Sequence, residues 1–218
     1  MSNSSYAPTE LTRLHRRPDR GSYDRALIHA ILDEALVCHV GFVLEGRPHV
    51  IPTSILRQGE YVYIHGSPNN RMLSALADGA PACIEVTLVD SLVAGRSGFG
   101  CSMDYRSVVI YACGERVEGA EKPAIIDAIV QDLIPGHKVR APKQKELDAT
   151  LVLRFPLQEV SAKVRDRGVI DVEEDYARDD LWAGVIPLRI TAGAPQDDTR
   201  LKPGIATPDF AKHYHRGR

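Results

Sequence analysis

The sequence predicts an α+β protein, a closed or nearly closed antiparallel β-barrel of six or seven strands with flanking helices. Two observations carry this. Short stretches rich in Val, Ile and Tyr are punctuated by Glu45-Gly46 and Gln58-Gly59, the mark of successive hairpins. Two longer stretches instead repeat apolar residues at helical spacing. A run of hairpins this long leaves sheet edges exposed, and closure hides them.

Taken in order, Leu27, Ile28, Ile31, Leu32, Ala35 and Leu36 define a helix over Asp24–Leu36, with Ser22 or Asp24 as N-cap. Strands are expected at Val37–Leu44, Pro48–Leu56 and Glu60–Ile64. A short helix over Asn70–Ala77 stops at Asp78-Gly79, and a strand over Ala82–Val89 leads into a Gly/Ser-rich loop, Ser91–Ser102. A long strand, Tyr105–Val117, precedes a second amphipathic helix that tolerates Pro123 in its first turn and ends at Pro135-Gly136. Thr150–Phe155 and Glu159–Val164 read as one further strand interrupted by Pro156, which implies an edge or a bulge. Val185–Ile190 is the last strand.

Residues 1–22 are polar and aperiodic and read as an arm, mobile or draped over another surface. Residues 23–191 form the folded domain, and 192–218 a Gly/Pro/Asp-rich tail. His213 and His215 have metal-ligand spacing, but no carboxylate or Cys accompanies them, so no metal site is expected there. The 218 residues are 44% hydrophobic and 26% charged, enough to bury a core. A formal net charge of −2 gives no support to a nucleic-acid or anionic-membrane surface. There is no membrane-span-length apolar run and no signal-peptide core, so a cytoplasmic protein is expected. Cys38, Cys83, Cys101 and Cys113 are too few to make a disulfide scaffold.

The usual catalytic motifs are missing. Gly95-Arg96-Ser97-Gly98-Phe99-Gly100 misses the dinucleotide fingerprint spacing and lies between strands, so it reads as a flexible or close-packed loop. The informative stretch runs from Tyr61 to Leu73. A buried strand ends at His65-Gly66, Ser67 follows, and a helix opens with Asn70 and Arg71. Free N–H groups there, with Ser67, Asn70 and Arg71, suit a phosphate. The same residues also fit a plain helix cap with Arg71 in water, and spacing does not separate the two. Tyr105, Arg106 and Ser107 at the mouth of an apolar strand suit an anion or polar ring, but a surface pair of Arg106 with Asp104 or a similar acid is the favoured reading. Trp182, the one tryptophan, could stack on a planar ligand or fill a core edge. His65 fits a proton donor or a satisfied histidine at a strand end.

Taken together, these pieces resemble the pyridoxamine 5′-phosphate oxidase-like superfamily, specifically its flavin-nucleotide-binding branch with the nitroimidazole-resistance (Nim-type) reductases. The resemblance spans roughly Ser22 to Ile190. It rests on the first helix, His49-Val-Ile-Pro52-Thr53-Ser54, Val62-Tyr-Ile-His65-Gly66-Ser67 with Arg71, Met103 to Val109, Ser161 to Arg165, and Trp182 to Leu188. It implies a split β-barrel homodimer with FMN in two interface clefts, FAD being an option and haem a less expected one. By resemblance, Ile51, Pro52 and Thr53 line the isoalloxazine ring, and His65 and Gly66 pass beside it. Ser67, Asn70 and Arg71 hold the phosphate. Tyr105, Arg106 and Ser107 complete the phosphate or ribityl site, and Trp182 reaches over the ring, from the partner chain in one arrangement. Met72 stands where many relatives have a second basic residue, Asp104 where they often have Asn, and Gly100-Cys101 where they have a His pair.

The resemblance implies an FMN-dependent oxidoreductase working between a small-molecule electron donor and acceptor, with His65 as the catalytic group. A non-catalytic flavin- or haem-binding sensor or store is the alternative, since the superfamily includes haem and deazaflavin binders. No basic set matches a pyridoxal-phosphate pocket.

Overall fold

The computed structural model describes residues 4–214. A 3-10 turn (Pro18–Arg20) leads into β1 (Gly21–Ser22) and α1 (Arg25–Glu34). Then come β2 (Val37–Leu44), β3 (Arg47–Ser54), β4 (Leu56–Gln58), β5 (Tyr61–Gly66), α2 (Arg71–Ala77), β6 (Pro81–Ala94) and β7 (Ser102–Cys113). They are followed by β8 (Glu115–Arg116), α3 (Glu121–Leu133), α4 (Gln144–Asp148), β9 (Leu151–Pro156), β10 (Glu159–Arg165), α5 (Glu173–Tyr176), β11 (Gly184–Pro187) and α6 (Asp209–Lys212). All strand pairs are antiparallel. The larger sheet runs β1-β10-β7-β6-β2-β3, with β11 on the far part of β6, and the smaller runs β4-β5-β9-β8. The expected α+β split barrel is the observed fold.

Local chemistry explains the elements. The Asp24 carboxylate accepts the Leu27 N–H at 2.8 Å and caps α1, whose Ile28, Ile31 and Leu32 are fully buried. The helix ends earlier than expected because Ala35 is already extended. Glu45 and Gly46 both have positive φ, the primed turn that matches strand twist in the β2–β3 hairpin. Pro48–Leu56 is not one strand. It breaks at Ile55, which is buried, and the chain passes there from the large sheet to the small one. Pro156 likewise marks a crossing between sheets and not a bulge: β9 belongs to the small sheet and β10 to the large one.

The main core lies between the sheets, under α1 and α2, and includes Ile31, Val40, Ile64, Leu73, Ile110 and Phe155. A second cluster joins Leu56, Tyr63 and Val152 to Ile125 and Ile129 of α3. The small sheet is therefore buried on both faces, which is why β5 and β9 read as nearly continuous apolar runs.

β6 is longer than expected and absorbs the start of the supposed loop. Its register against β7 shifts between Val89 and Ser91, a bulge at Asp90. Beyond it, β2 no longer pairs with β6; only β7 and β11 do. The two long strands thus project from the barrel as a three-stranded arm.

The N-terminal segment is draped, not free. Ser5 bridges to Asp24, Thr12 is buried, and Tyr6 is only 5% exposed within the main core. The Tyr6 hydroxyl donates to Glu60 at 2.9 Å and meets His29 Nε2 at 2.8 Å, and the Arg25 guanidinium lies over its ring. Burial and the Glu60 carboxylate hold this phenol protonated far above its ordinary range. At the other end, Phe210 packs on His137 and the Tyr214 hydroxyl donates to the Leu133 carbonyl. His215 lies outside the described residues, and among those described no His/Cys/Asp/Glu cluster of metal-binding size occurs. No helix is long and apolar enough to cross a membrane among them.

Tyr6→Phe removes the hydroxyl and leaves His29 and Glu60 without that bond. Its unfolding free energy in urea should drop by about 1 kcal/mol; an unchanged midpoint would show that the strap is not anchored there.

Candidate functional site

β5 ends at His65-Gly66 against α2. A Cβ on Gly66 would come 2.9 Å from Leu73 Cδ1, so any larger residue there would make the end of the Leu73 side chain shift. Asn70 caps α2, its side-chain oxygen accepting from Met72 N at 2.9 Å and Leu73 N at 3.4 Å. The cap half of the sequence reading is thus observed. It consumes the amide oxygen and leaves the amide NH2 available as a donor. Arg71 is exposed and, among the described residues, makes no hydrogen bond or ion pair. A cation in the first turn of a helix, with no carboxylate to hold it, is badly placed unless an anion comes to it.

His65 is the complement. Its Nδ1 is buried without a hydrogen-bond partner, and burial alone pushes its pKa below the ordinary 6.5. At neutral pH this is an uncharged imidazole.

The other predicted residues fall into two further groups. In β3, Ile51 packs against the core while Pro52 is exposed on the outer face, and Thr53 lies opposite Cys38 of β2. Register aligns Pro52 with His39 of β2 and Glu85 of β6. Tyr105 and Ser107 share that outer face, but β2 and β6 lie between, three strand spacings or roughly 14 Å away. Trp182 is further still. It is 68% exposed and lies over Gly184, which pairs with Ala94 near the arm's tip. Strand rise puts that level roughly 30 Å beyond Glu85. Within one chain β3 and β5 are in contact, and neither Tyr105–Ser107 nor Trp182 is brought to them.

Arg106 is not paired with Asp104. Its guanidinium binds Asp90 (2.7 and 3.0 Å) and Glu34 (2.7 and 2.9 Å), and these carboxylates raise its pKa further above an already high value. An anion would have to displace one of them. Asp104 is buried and paired with Arg165, and accepts from Ser91 Oγ at 3.2 Å and from the N–H groups of Arg167 and Gly168, both at 3.3 Å. Burial alone would raise its pKa, but these donors outweigh burial and hold it below the ordinary carboxylate value. A cleft of about 420 Å3 opens here, lined by Asp90, Asp104, Arg106, Asp166 and Val185 among others. A second groove of about 390 Å3 lies beside α3 and contains none of the predicted residues. Sequence reasoning missed Glu34, Asp90 and Asp171 as partners, since each lies far in sequence from the group it holds or bears no motif.

The model of the family described as pyridoxamine 5′-phosphate oxidase matches residues 24–164. The chain belongs to the pyridoxamine 5′-phosphate oxidase family. Within that family it is similar to the flavocytochrome Anf3 of Azotobacter vinelandii, at 36% identity and TM-score 0.87, over 94% of this chain and 97% of that one. It is also similar to the FAD and haem binding protein of Mycobacterium smegmatis, at 34% identity and TM-score 0.84, over 88% and 95%. A candidate 5-nitroimidazole antibiotic resistance protein of Bacteroides thetaiotaomicron shares the fold at 24% identity and TM-score 0.57, over 66% and 86%. The Nim-type relation is thus the more distant of these, and the segment after residue 164 lies outside the family model. No curated protein matches the sequence.

His65 and His29 are both held neutral by burial, with folded pKa values below 6.5. Each contributes stability that is fully present above pH 6.5 and lost as pH falls through the folded value, because the unfolded chain takes up the proton first. Urea midpoints should therefore fall between pH 7.5 and 5.5, and His65→Gln should shrink that fall; equal slopes would contradict the burial argument.

Proposed function

We propose that this is a flavin-binding redox protein that also takes haem, and that it works as a dimer. The observation that carries the reading is the pairing, at the β5–α2 junction, of an unengaged cation with an unengaged buried imidazole. The Arg71 guanidinium, the Asn70 amide NH2 and the Ser67 hydroxyl form a donor set suited to a nucleotide phosphate. Pro52 and the backbone of β3 give an apolar strip on which a planar ring can lie. Overlap over nearly the full length with two proteins described as binding FAD and haem, or as a flavocytochrome, favours FAD over FMN and makes haem an expected second group.

A bound flavin supplies two-electron acceptance from a soluble donor and one-electron delivery to an acceptor. The chain's own part is to bind, orient and exclude water. A neutral His65 is better suited to ligate a haem iron or to pack beside a ring than to serve as a charged acid at neutral pH. Proton donation by His65 belongs to the oxidoreductase reading, and a nitro-compound reductase is the second outcome the same preparation can reveal.

Dimerisation is supported by the separation of the predicted residues. The outer face of the large sheet, with Val37, Val43, Val50 and Val89 exposed, continues onto the arm. There Met103, Leu92 and Ile186 lie side by side in register across β7, β6 and β11, each about 45% exposed. Two copies meeting through this face bring one copy's arm toward the other's β3 and β5–α2 residues, which completes a site neither copy has alone.

Purified protein should show flavin bands in the blue and near-ultraviolet and a Soret band, and mass spectrometry of the released flavin should give FAD. Arg71→Ala should weaken flavin binding at least tenfold, and His65→Ala should abolish the Soret band while flavin bands persist. Protein that stays colourless after addition of FAD, FMN and haemin would overturn the proposal.

A further inference from the structure

The groove beside α3 is unused by the flavin reading, and its walls are held apart. Helical spacing sets Ile126, Asp127 and Val130 along one flank of α3. That flank adjoins Ile125 and Ile129, which pack on the small sheet. The facing wall is the 134–143 connection, with Val139 and Pro142, and Leu147 of α4 lines the groove as well. Apolar walls in water close on each other unless something holds them. Here about 390 Å3 stays open between them.

Side-chain bonds explain the gap. Gln131 of α3 pins one end of the connection: its Nε2 donates to the His137 carbonyl at 2.8 Å, and its Oε1 accepts the Gly136 N–H at 3.3 Å. Phe210 of the C-terminal segment packs on the same His137. At the other end, Arg140 is paired with both carboxylate oxygens of Glu146 on α4 and donates to the Ala141 carbonyl at 3.0 Å. Glu146 also accepts the Lys143 N–H at 2.8 Å, and Arg140 together with this N–H pulls its carboxyl down to about 2. The wall is thus tied to α3 at one end and to α4 at the other.

A groove with apolar walls fixed in advance, within the roughly 300–1,000 Å3 of small-molecule sites, has the form of a binding site. Its charges are not balanced. Arg140 and Glu146 neutralise each other, whereas Asp127 is exposed and makes no hydrogen bond or ion pair with a described residue. An unengaged carboxylate lining an apolar groove matches a cation at the end of an apolar chain. An anionic ligand would meet Asp127 as a like charge, and Arg140 could serve it only by giving up Glu146.

We propose that this groove binds a small amine with an apolar chain, its ammonium group on Asp127 and its chain along Ile126, Val130, Val139 and Leu147. The proposal stands apart from the flavin reading, since no residue assigned to the flavin lines this groove.

The test uses the full chain and three eight-carbon probes: octylammonium, octanol and octanoate. Isothermal titration calorimetry at low ionic strength should give affinities in that order, with octylammonium about fivefold tighter than octanol. That lead should shrink as salt is raised. Asp127→Asn should bring octylammonium level with octanol while the thermal midpoint stays at the wild-type value, because the side chain it changes is exposed and unpaired. Ala141→Trp puts a large ring at an exposed position lining the groove and should abolish binding of all three probes. FAD binding should be the same in both variants as in wild type. No heat with any probe, equal affinity for ammonium and alcohol, an Asp127→Asn chain that keeps the preference, or a folded Ala141→Trp chain that binds like wild type overturns the proposal. Each of these results leaves the flavin reading untouched.

Discussion

The length of β6 and β7 is the constraint from which the rest follows. Fourteen and twelve residues are too long for the barrel that contains them, and only their near halves pair with β2 and β10. The far halves must leave the barrel, and the bulge at Asp90 governs how. One inserted residue changes which side of β6 faces inward, so Ser91 and Val93 are buried while Val89 and Leu92 both stay on the outer face. The outer apolar surface therefore continues without interruption from barrel to arm. The same projection carries Trp182, beside Gly184 and Ala94, far along the strand axis from Pro52 within one chain.

Electrostatic commitments reinforce the separation. Arg106 is held by Asp90 and Glu34, Arg165 by Asp104, Arg96 by Asp171, and Arg57 by Asp33. In these four cases a guanidinium in bonding geometry balances the carboxylate, the arrangement that keeps a buried charge tolerable. What sets the β5–α2 junction apart is the combination: Arg71 is exposed with no hydrogen bond or ion pair among the described residues, and beside it burial keeps His65 uncharged with its Nδ1 unpartnered. Both lie within one strand end and one helix turn.

The alternation of Val62 and Ile64 with Tyr61 and Tyr63 made β5 legible in the sequence, and helical spacing did the same for α1 and α3. The crossing at Ile55 was not legible, because a strand that changes sheets keeps its β-type residues on both sides of the break. Pro156 was visible as an interruption, but its meaning depended on which sheet each flank joined. Of the site, the stretch from His65 to Arg71 was readable because it is local: strand end, glycine, cap and cation follow in order. An acid pair for Arg106 was legible, but its partners were not: they come from the end of α1 and the bulge of β6 instead of from Asp104, two residues away. Asp171 left no signal of its own; only Gly95 and Gly100, which make room for its carboxylate, were visible.

The central claim is that the cofactor cleft is shared between two copies, with the β5–α2 grip on one and the arm on the other. Linkage makes this directly measurable, because a ligand that needs both copies must favour their association. Sedimentation of the wild-type chain across a dilution series, with and without saturating FAD, reads that linkage. The account predicts that FAD shifts the monomer–dimer equilibrium toward dimer and is bound far more weakly by monomer. A monomer that binds FAD as tightly as the dimer, with no shift in association, would contradict it.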